Sequence, residues 1–187
     1  PTLTQDGITF RDLNKNGQLD PYEDPRRPVE ERVEDLLGQM TLEEKTGLMF
    51  QTMIGMNKDG TILEKTGLWP MPQSSDVLAR RLMNHFNLLF GSDPRHMAEW
   101  HNTIQKMAER TRLGIPVTLS TDPRHSFSQN PLASLGGGSF SQFPEPTGLA
   151  ATRDADLIQE FGDIARQEYL AVGTRLALHP MADLATE

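Results

Sequence analysis

From Pro28 onward, apolar residues recur at helical spacing. In VEERVEDLLGQM, Val29, Val33, Leu36, Leu37 and Met40 share one face, with proline tolerated in the first turn, so an amphipathic helix is predicted. Thr41 followed by Glu44 forms a capping box that opens a second helical segment in TLEEKTGLM. Gly55 to Ser75 has no clear period and reads as loop, with Ile62, Leu68, Trp69 and Met71 as packing residues. A strand is predicted over His85–Phe90, and a helix from Pro94 to Arg110 with Asp93 as its cap. Met97, Trp100, Ile104 and Met107 form that helix's apolar stripe, and Gly114 closes it. A second strand spans Pro116–Thr121, and a loop rich in Gly, Ser and Phe follows from Ser126 to Pro146. The last helix runs from Asp154 to Val172, turning Leu157, Ile158, Phe161, Ile164, Ala165 and Leu170 inward. Gly173 stops it, and a strand at Arg175–His179 follows. Residues 1–27, by contrast, are rich in Asp, Asn, Gly and Pro and read as an irregular lead-in to a body spanning residues 28–187.

Strands alternating with long helices predict an α/β fold with right-handed βαβ units and a parallel sheet, either a barrel or a doubly wound sheet. The doubly wound nucleotide-binding kind carries a glycine-rich fingerprint where its first strand meets a helix. Here Gly136, Gly137 and Gly138 sit in mid-loop, which favours the barrel. A complete (β/α)8 barrel takes about 250 residues, so these 187 residues are expected to hold only part of one.

Composition narrows the chemistry. The 36% hydrophobic and 24% charged content is that of a globular protein, and the net charge of −8 with no Lys/Arg cluster argues against a nucleic-acid partner. Without cysteine, disulfides, thiol nucleophiles and thiolate metal sites are excluded. No stretch reaches the roughly 18 apolar residues of a membrane span, and no Asn-x-Ser/Thr acceptor occurs.

The sharpest local pattern is Asp12 to Glu23. Side chains of Asp12, Asn14, Asn16, Asp20 and Glu23 occupy positions 1, 3, 5, 9 and 12 of an EF-hand-like calcium loop. Gly17 stands at position 6, the carbonyl of Gln18 at position 7 and the apolar Leu19 at position 8. Such spacing lets alternate oxygens wrap a hard cation; an Asx-turn-rich loop that satisfies its own backbone is the other reading. A calcium ion here would be structural. At the end of the Pro116–Thr121 strand, Asp122 is delivered to the carboxyl-terminal mouth where barrel sites lie, which makes it a ligand candidate, although an Asp in that place also serves as a turn residue. His85, His96, His101 and His179 do not pair at metal-ligand spacing, and there is no Gly-x-Ser-x-Gly elbow.

Three ordered blocks carry a resemblance: DLNKNGQLDPYEDPRRPVEERVEDLLGQMTLEEKTGLM, AEWHNTIQKMAERTRLGIPVTLSTDPRH and FPEPTGLAATRDADLIQEFGDIARQEYLAVG. Together they resemble the N-terminal blocks of glycoside hydrolase family 3, which includes β-glucosidases and β-xylosidases. The resemblance implies the N-terminal part of a (β/α)8 TIM-type barrel and a secreted or periplasmic enzyme. By it, Asp122 matches the aspartate of an Asp-x-x-His-Gly-like motif that binds sugar hydroxyls at the cleavage subsite. The motif here reads Asp122-Pro123-Arg124-His125-Ser126, with His125 expected to position the loop. The family retains anomeric configuration through an aspartate nucleophile and a second carboxylic acid. In family members both lie beyond the region corresponding to residue 187, as does a sugar-binding arginine of a Pro-Arg-Trp-like motif.

The expected function is therefore a retaining, exo-acting β-glycosidase, foremost a β-glucosidase, acting on a β-linked glucoside or oligosaccharide. β-Xylosidase and β-N-acetylglucosaminidase are alternatives within the family, and no cofactor for catalysis is expected. A reading from another class is a non-catalytic calcium-dependent binding module with Asp12–Glu23 as its working end. A last expectation concerns the edge of the sheet. With Val117, Leu119, Leu176 and Leu178 lining the barrel, the isolated segment would expose half a core and need tight contact with the remainder of the same enzyme.

Overall fold

The computed structural model describes residues 1–65, 71–88, 91–122, 125–126 and 139–179. Leu68, Trp69, Phe90, Pro123, Arg124, the three-glycine run and the last eight residues, all named above, lie outside them.

The lead-in is more regular than its composition suggests. Strands β1 (Thr2–Gln5) and β2 (Ile8–Arg11) pair antiparallel, with Gln5 opposite Ile8. Asp6 and Gly7 between them both hold positive φ, +50° and +77°, as a tight two-residue hairpin turn requires. The expectation of an irregular segment is corrected here: Asp-Gly between alternating Thr-Leu-Thr and Ile-Thr-Phe is a hairpin signal. After a loop and a 3-10 turn at Pro21–Glu23 come helices α1 (Val29–Gln39) and α2 (Leu42–Leu48). The predicted box is present, with Thr41 Oγ1 accepting from Glu44 N at 3.2 Å and Glu44 accepting from Thr41 N at 2.9 Å.

Strands β3 (Gln51–Ile54), β4 (His85–Leu88), β5 (Thr118–Thr121) and β6 (Leu176–Ala177) form a parallel sheet in the order β3-β4-β5-β6. Sequential strands lie side by side throughout. A π-helical turn at Asp76–Arg80 precedes β4, and helix α3 (Pro94–Glu109) joins β4 to β5. Helices α4 (Pro146–Ala151) and α5 (Ala155–Ala171) lie between β5 and β6. Asp93 caps α3 as expected, its Oδ1 accepting from the backbone of Arg95 and His96. Gly114 is not the stop of α3, which ends at Glu109. Its φ of +59° instead turns the following loop close against Leu13.

One face of the sheet is apolar and covered by helix. Ile54, Phe86, Leu88 and Leu119 pack with Met97, Trp100, Ile104 and Ala108 of α3, and each large side chain buried this way stabilises by about 1.5–3 kcal/mol. Val117 belongs to this core as well, which corrects the expectation that Val117 and Leu119 line the barrel interior: they point under α3. Strand alternation then sends Thr118, Ser120 and Asp122 to the opposite face.

The inward face expected of α5 is also corrected. None of its residues is buried, and Leu157, Ile158 and Leu170 are 36–38% exposed. Ile158, Phe161, Ala165 and Leu170 border a 970 Å³ cavity shared with α4 and β6, so that stripe looks onto open space. Val29, Val33 and Leu37 of α1 are likewise exposed.

The lead-in is fastened to the loop that feeds β5. Tyr22 Oη donates to Leu113 O at 3.2 Å, Lys15 Nζ donates to Thr111 O, and Arg11 pairs with Glu109. Tyr22 sits buried beside Glu23, and burial followed by that carboxylate raises its phenol well above the ordinary range.

Candidate functional site

The polar face of the sheet holds a continuous relay of side chains. Gln51 Nε2 on β3 donates to Ser120 Oγ on β5 at 2.6 Å, and Ser120 Oγ donates to Asn87 Oδ1 on β4 at 3.0 Å. Asn87 Nδ2 then donates to Asp122 Oδ2 at 3.3 Å. Register explains the convergence, because Asn87 pairs with Ser120 and Gln51 with His85, so all these residues stand on one side. Ser120 and Asn87 are buried, and each polar group meets a partner, as interior polar groups must. The relay ends at the carboxyl end of β5, where Asp122 borders the cavity. Gln51, Asn87 and Ser120 were not singled out from the sequence. For Asn87 and Ser120 the signal was a polar residue alternating with an apolar one, visible in His85-Phe86-Asn87-Leu88 and Thr118-Leu119-Ser120, whereas Gln51-Thr52-Met53-Ile54 shows no such alternation.

His125 is 3% exposed and packs its ring against Tyr169 (4.8 Å) and Phe140 (5.0 Å). Its Nε2 lies 2.8 Å from Glu168 Oε2 on α5, and Ser141 donates to the same carboxylate through Oγ (2.6 Å) and N (2.9 Å). Burial lowers the imidazole against the opposing pull of Glu168. For Glu168, burial pushes upward, but the two Ser141 bonds and His125 bring the carboxyl below its usual range. Near neutral pH the pair is thus a neutral imidazole donating Nε2–H to a carboxylate. The arrangement ties the segment after β5 to α5, as expected of a loop-positioning histidine. Tyr169 Oη also donates to Asp122 O at 3.4 Å.

Two of the other histidines have local duties. His96 pairs with Asp93 within the first turn of α3. His101 bonds Gln105, and its ring lies against Gly173, where φ is +91° and a Cβ would strike the imidazole.

Asp12 and Glu23 of the calcium-like loop are buried, Asn14 and Asp20 are half-buried, and Asn16 and Gln18 are exposed. Asp12 Oδ2 accepts from Gly17 N (3.2 Å), Asn14 Oδ1 from Asn16 N (3.1 Å) and Asn16 Oδ1 from Gln18 N (2.7 Å). Asp20 Oδ2 accepts from the amides of Asn14 (2.6 Å) and Asn16 (2.7 Å). Glu23 takes Leu13 N (2.6 Å) and Asn14 N (3.3 Å) on Oε1 and Asp20 N (3.3 Å) on Oε2. Gly17, at φ +79°, makes the sharp turn required at position 6. Among the described residues, no three His, Cys, Asp or Glu side chains gather as a metal-holding group. The loop's oxygens are instead a mixture of carboxylate, amide and carbonyl.

The fold and the relay define an α/β protein that gathers a carboxylate, an amide and a hydroxyl on the polar face of a parallel sheet. Residues 34–187 match the family model described as glycosyl hydrolase family 3 N terminal domain, and the chain belongs to that family. It is 46% identical over its whole length to a periplasmic beta-glucosidase/beta-xylosidase of Dickeya chrysanthemi, spanning 28% of that protein. It is 45% identical over 94% of its length to beta-glucosidase C of Emericella nidulans, again spanning 28%. A putative beta-xylosidase of Formosa agariphila is 28% identical over 91% of the chain, which spans 21% of it. The chain thus spans little more than a quarter of the length of the first two of these relatives.

Proposed function

We propose that this chain supplies part of the sugar-binding subsite of a retaining, exo-acting β-glycosidase, foremost a β-glucosidase, that removes terminal β-linked sugars. The observation that carries this reading is Asp122, held at the carboxyl end of β5 by Asn87 across 3.3 Å. A carboxylate has about four lone-pair sites. With one oxygen engaged by Asn87, capacity remains to accept bonds from vicinal sugar hydroxyls. The beta-glucosidase names of the relatives support the substrate class. Sequential parallel strands with helices between them support the (β/α)8 reading.

In this scheme the relay from Gln51 through Ser120 and Asn87 fixes Asp122, while the His125–Glu168 pair fixes the segment that follows it. By the family resemblance, the nucleophile and the acid/base are contributed by the remainder of the enzyme, and Asp122 touches the sugar without taking part in bond cleavage. Leu176 and the exposed stripe of α5 support close contact with that remainder. A secreted or periplasmic location is supported by the name of the Dickeya relative. Among the described residues, no helix is long and apolar enough to cross a membrane.

The relatives' names also motivate a second substrate, the β-xyloside. Both are tested by assaying the full-length protein on aryl β-glucoside, β-xyloside and β-N-acetylglucosaminide, alongside Asp122→Asn. The expected outcome is the highest kcat/KM on glucoside, falling at least about 100-fold in the variant, the scale of losing hydrogen bonds to a charged group in a dry site. Activity on none of the three would overturn the function. Unchanged kcat/KM in Asp122→Asn would remove Asp122 from the subsite.

A further inference from the structure

We propose that the Asp12–Glu23 loop binds one calcium ion, and that this ion braces the start of the chain against the turn that feeds β5. This inference does not depend on the glycosidase reading. Three carboxylates, Asp12, Asp20 and Glu23, share the loop, and Asp12 and Glu23 are 3% and 7% exposed. Burying carboxylates demands compensating positive charge. Among the described residues, none of the three forms a salt bridge with a Lys or Arg; the loop's own Lys15, its ammonium bonded to Thr111 O, attracts Asp12 and Glu23 only at longer range.

The decisive atom is Asp12 Oδ1. It is fully buried and has no hydrogen-bond partner among the described residues, although Oδ2 of the same carboxylate is fixed by Gly17 N. An orphaned oxygen on a buried, ionisable group is costly, and a cation inside the loop removes that cost. Asp12 stands at position 1, the position whose carboxylate enters the metal shell in a calcium loop of this spacing.

The three carboxylates do not converge on one point among the described residues, so the ion would have to draw the loop's other oxygens in. The bonds from Asn16 N to Asn14 Oδ1 and from Gln18 N to Asn16 Oδ1 each leave a lone pair on an amide oxygen, and Asp20 uses Oδ2 for both amides. With the Gln18 carbonyl and Glu23, the set is all oxygen, mixed in charge and six or more in number. That suits calcium's flexible shell better than the strict octahedron of magnesium. The ion would act on the body through Tyr22, which donates to Leu113 O, and through Leu13, packed against Gly114, eight residues before Asp122.

The test uses the full-length protein, stripped with EDTA and dialysed, titrated with CaCl2 by calorimetry and unfolded thermally with and without CaCl2. One equivalent of calcium is expected to bind and to raise the unfolding temperature by several degrees, as any ligand selective for the native state does. Asp12→Asn keeps an acceptor for Gly17 N but removes the charge, and is expected to weaken calcium binding at least about 10-fold. Asn16→Ala, at an exposed position, is the milder second variant and should weaken it too. Absence of binding heat and of a thermal shift at millimolar CaCl2 would overturn the proposal. So would a single equivalent bound equally well by both variants, which would place the ion elsewhere, or magnesium bound more tightly than calcium.

Discussion

His125 and Glu168 meet across 2.8 Å, joining the segment after β5 to a helix forty-three residues further along the chain. Both groups are shifted downward, the imidazole by burial and the carboxyl by the Ser141 and His125 bonds that outweigh its own burial. The signs agree. A histidine with a depressed native pKa contributes stability that is complete above its unfolded value near 6.5 and is lost as pH falls below it. A depressed carboxyl contributes stability present above about 4.5 and lost as pH falls through its native value. The full-length protein should therefore lose stability progressively from about pH 6.5 downward. His125→Gln should flatten the upper part of that loss while lowering stability at pH 7.5 by about 1 kcal/mol, the scale of one weakened hydrogen bond to a half-buried carboxylate. Denaturant unfolding across pH 4–8 checks this, and parallel profiles for the two proteins would contradict it.

Arg112 and Glu44 form the other inter-element pair of note. The guanidinium donates Nε to Glu44 Oε1 at 3.0 Å, Nη2 to Oε2 of the same carboxylate, and Nη2 to Gln39 O at 2.8 Å. Glu44 is 8% exposed and also closes the capping box, so one side chain serves both α2 and the loop after α3. Its burial raises the carboxyl, yet Arg112 and Thr41 bring it below the usual value. Arg112→Met is expected to cost about 1–3 kcal/mol, because a buried carboxylate loses its charged donors, and half-exposure of the arginine keeps the loss at the lower end of buried pairs. Arg112→Lys should recover only part, since an ammonium cannot reproduce the fork. The depressed carboxyl should make the wild type lose this contribution as pH drops below about 4.5. A double-mutant cycle with Glu44→Gln isolates the coupling.

What could be read from the sequence divides along physical lines. Helix α3 was legible because its cap, first-turn proline and apolar stripe agree, and Met97, Trp100 and Ile104 are buried as expected. Strand β3 was not: Gln51 and Met53 are exposed on its polar side, and a four-residue strand with only one buried position gives little periodic signal. The α5 stripe had the correct period, but periodicity shows that a face is apolar without showing what covers it. At the site, Asp122 stood out by its place after a strand. Its supports Asn87, Ser120 and Gln51 are brought together by register between strands 33 to 69 residues apart, which no local pattern contains.

Two helical glycines should respond to alanine with opposite signs. Replacing an exposed helical glycine by alanine ordinarily stabilises by about 0.4–1 kcal/mol, because the unfolded chain loses freedom and the helix gains propensity. Gly38 in α1 meets that condition, with no atom of the described residues within 4 Å of where a Cβ would stand. Gly47 in α2 does not. There a Cβ would lie 2.7 Å from the Leu82 carbonyl carbon, closer still to its oxygen, and 3.0 Å from Arg81 O. These are backbone atoms with little room to yield: Leu82 holds φ at +56°, and Arg81 N and Met83 N on either side are bonded to Asp76 O (2.9 Å) and Val77 O (3.0 Å). Relief would have to come from moving α2 off the turn before β4, which disturbs Glu44 and its arginine as well. Gly47→Ala is therefore expected to lower stability by about 1–3 kcal/mol, the cost of overpacking, and Gly38→Ala to raise it by about 0.5 kcal/mol. Thermal unfolding of the two full-length variants beside the wild type decides the matter; a rise for Gly47→Ala would mean that α2 does not approach Leu82 this closely.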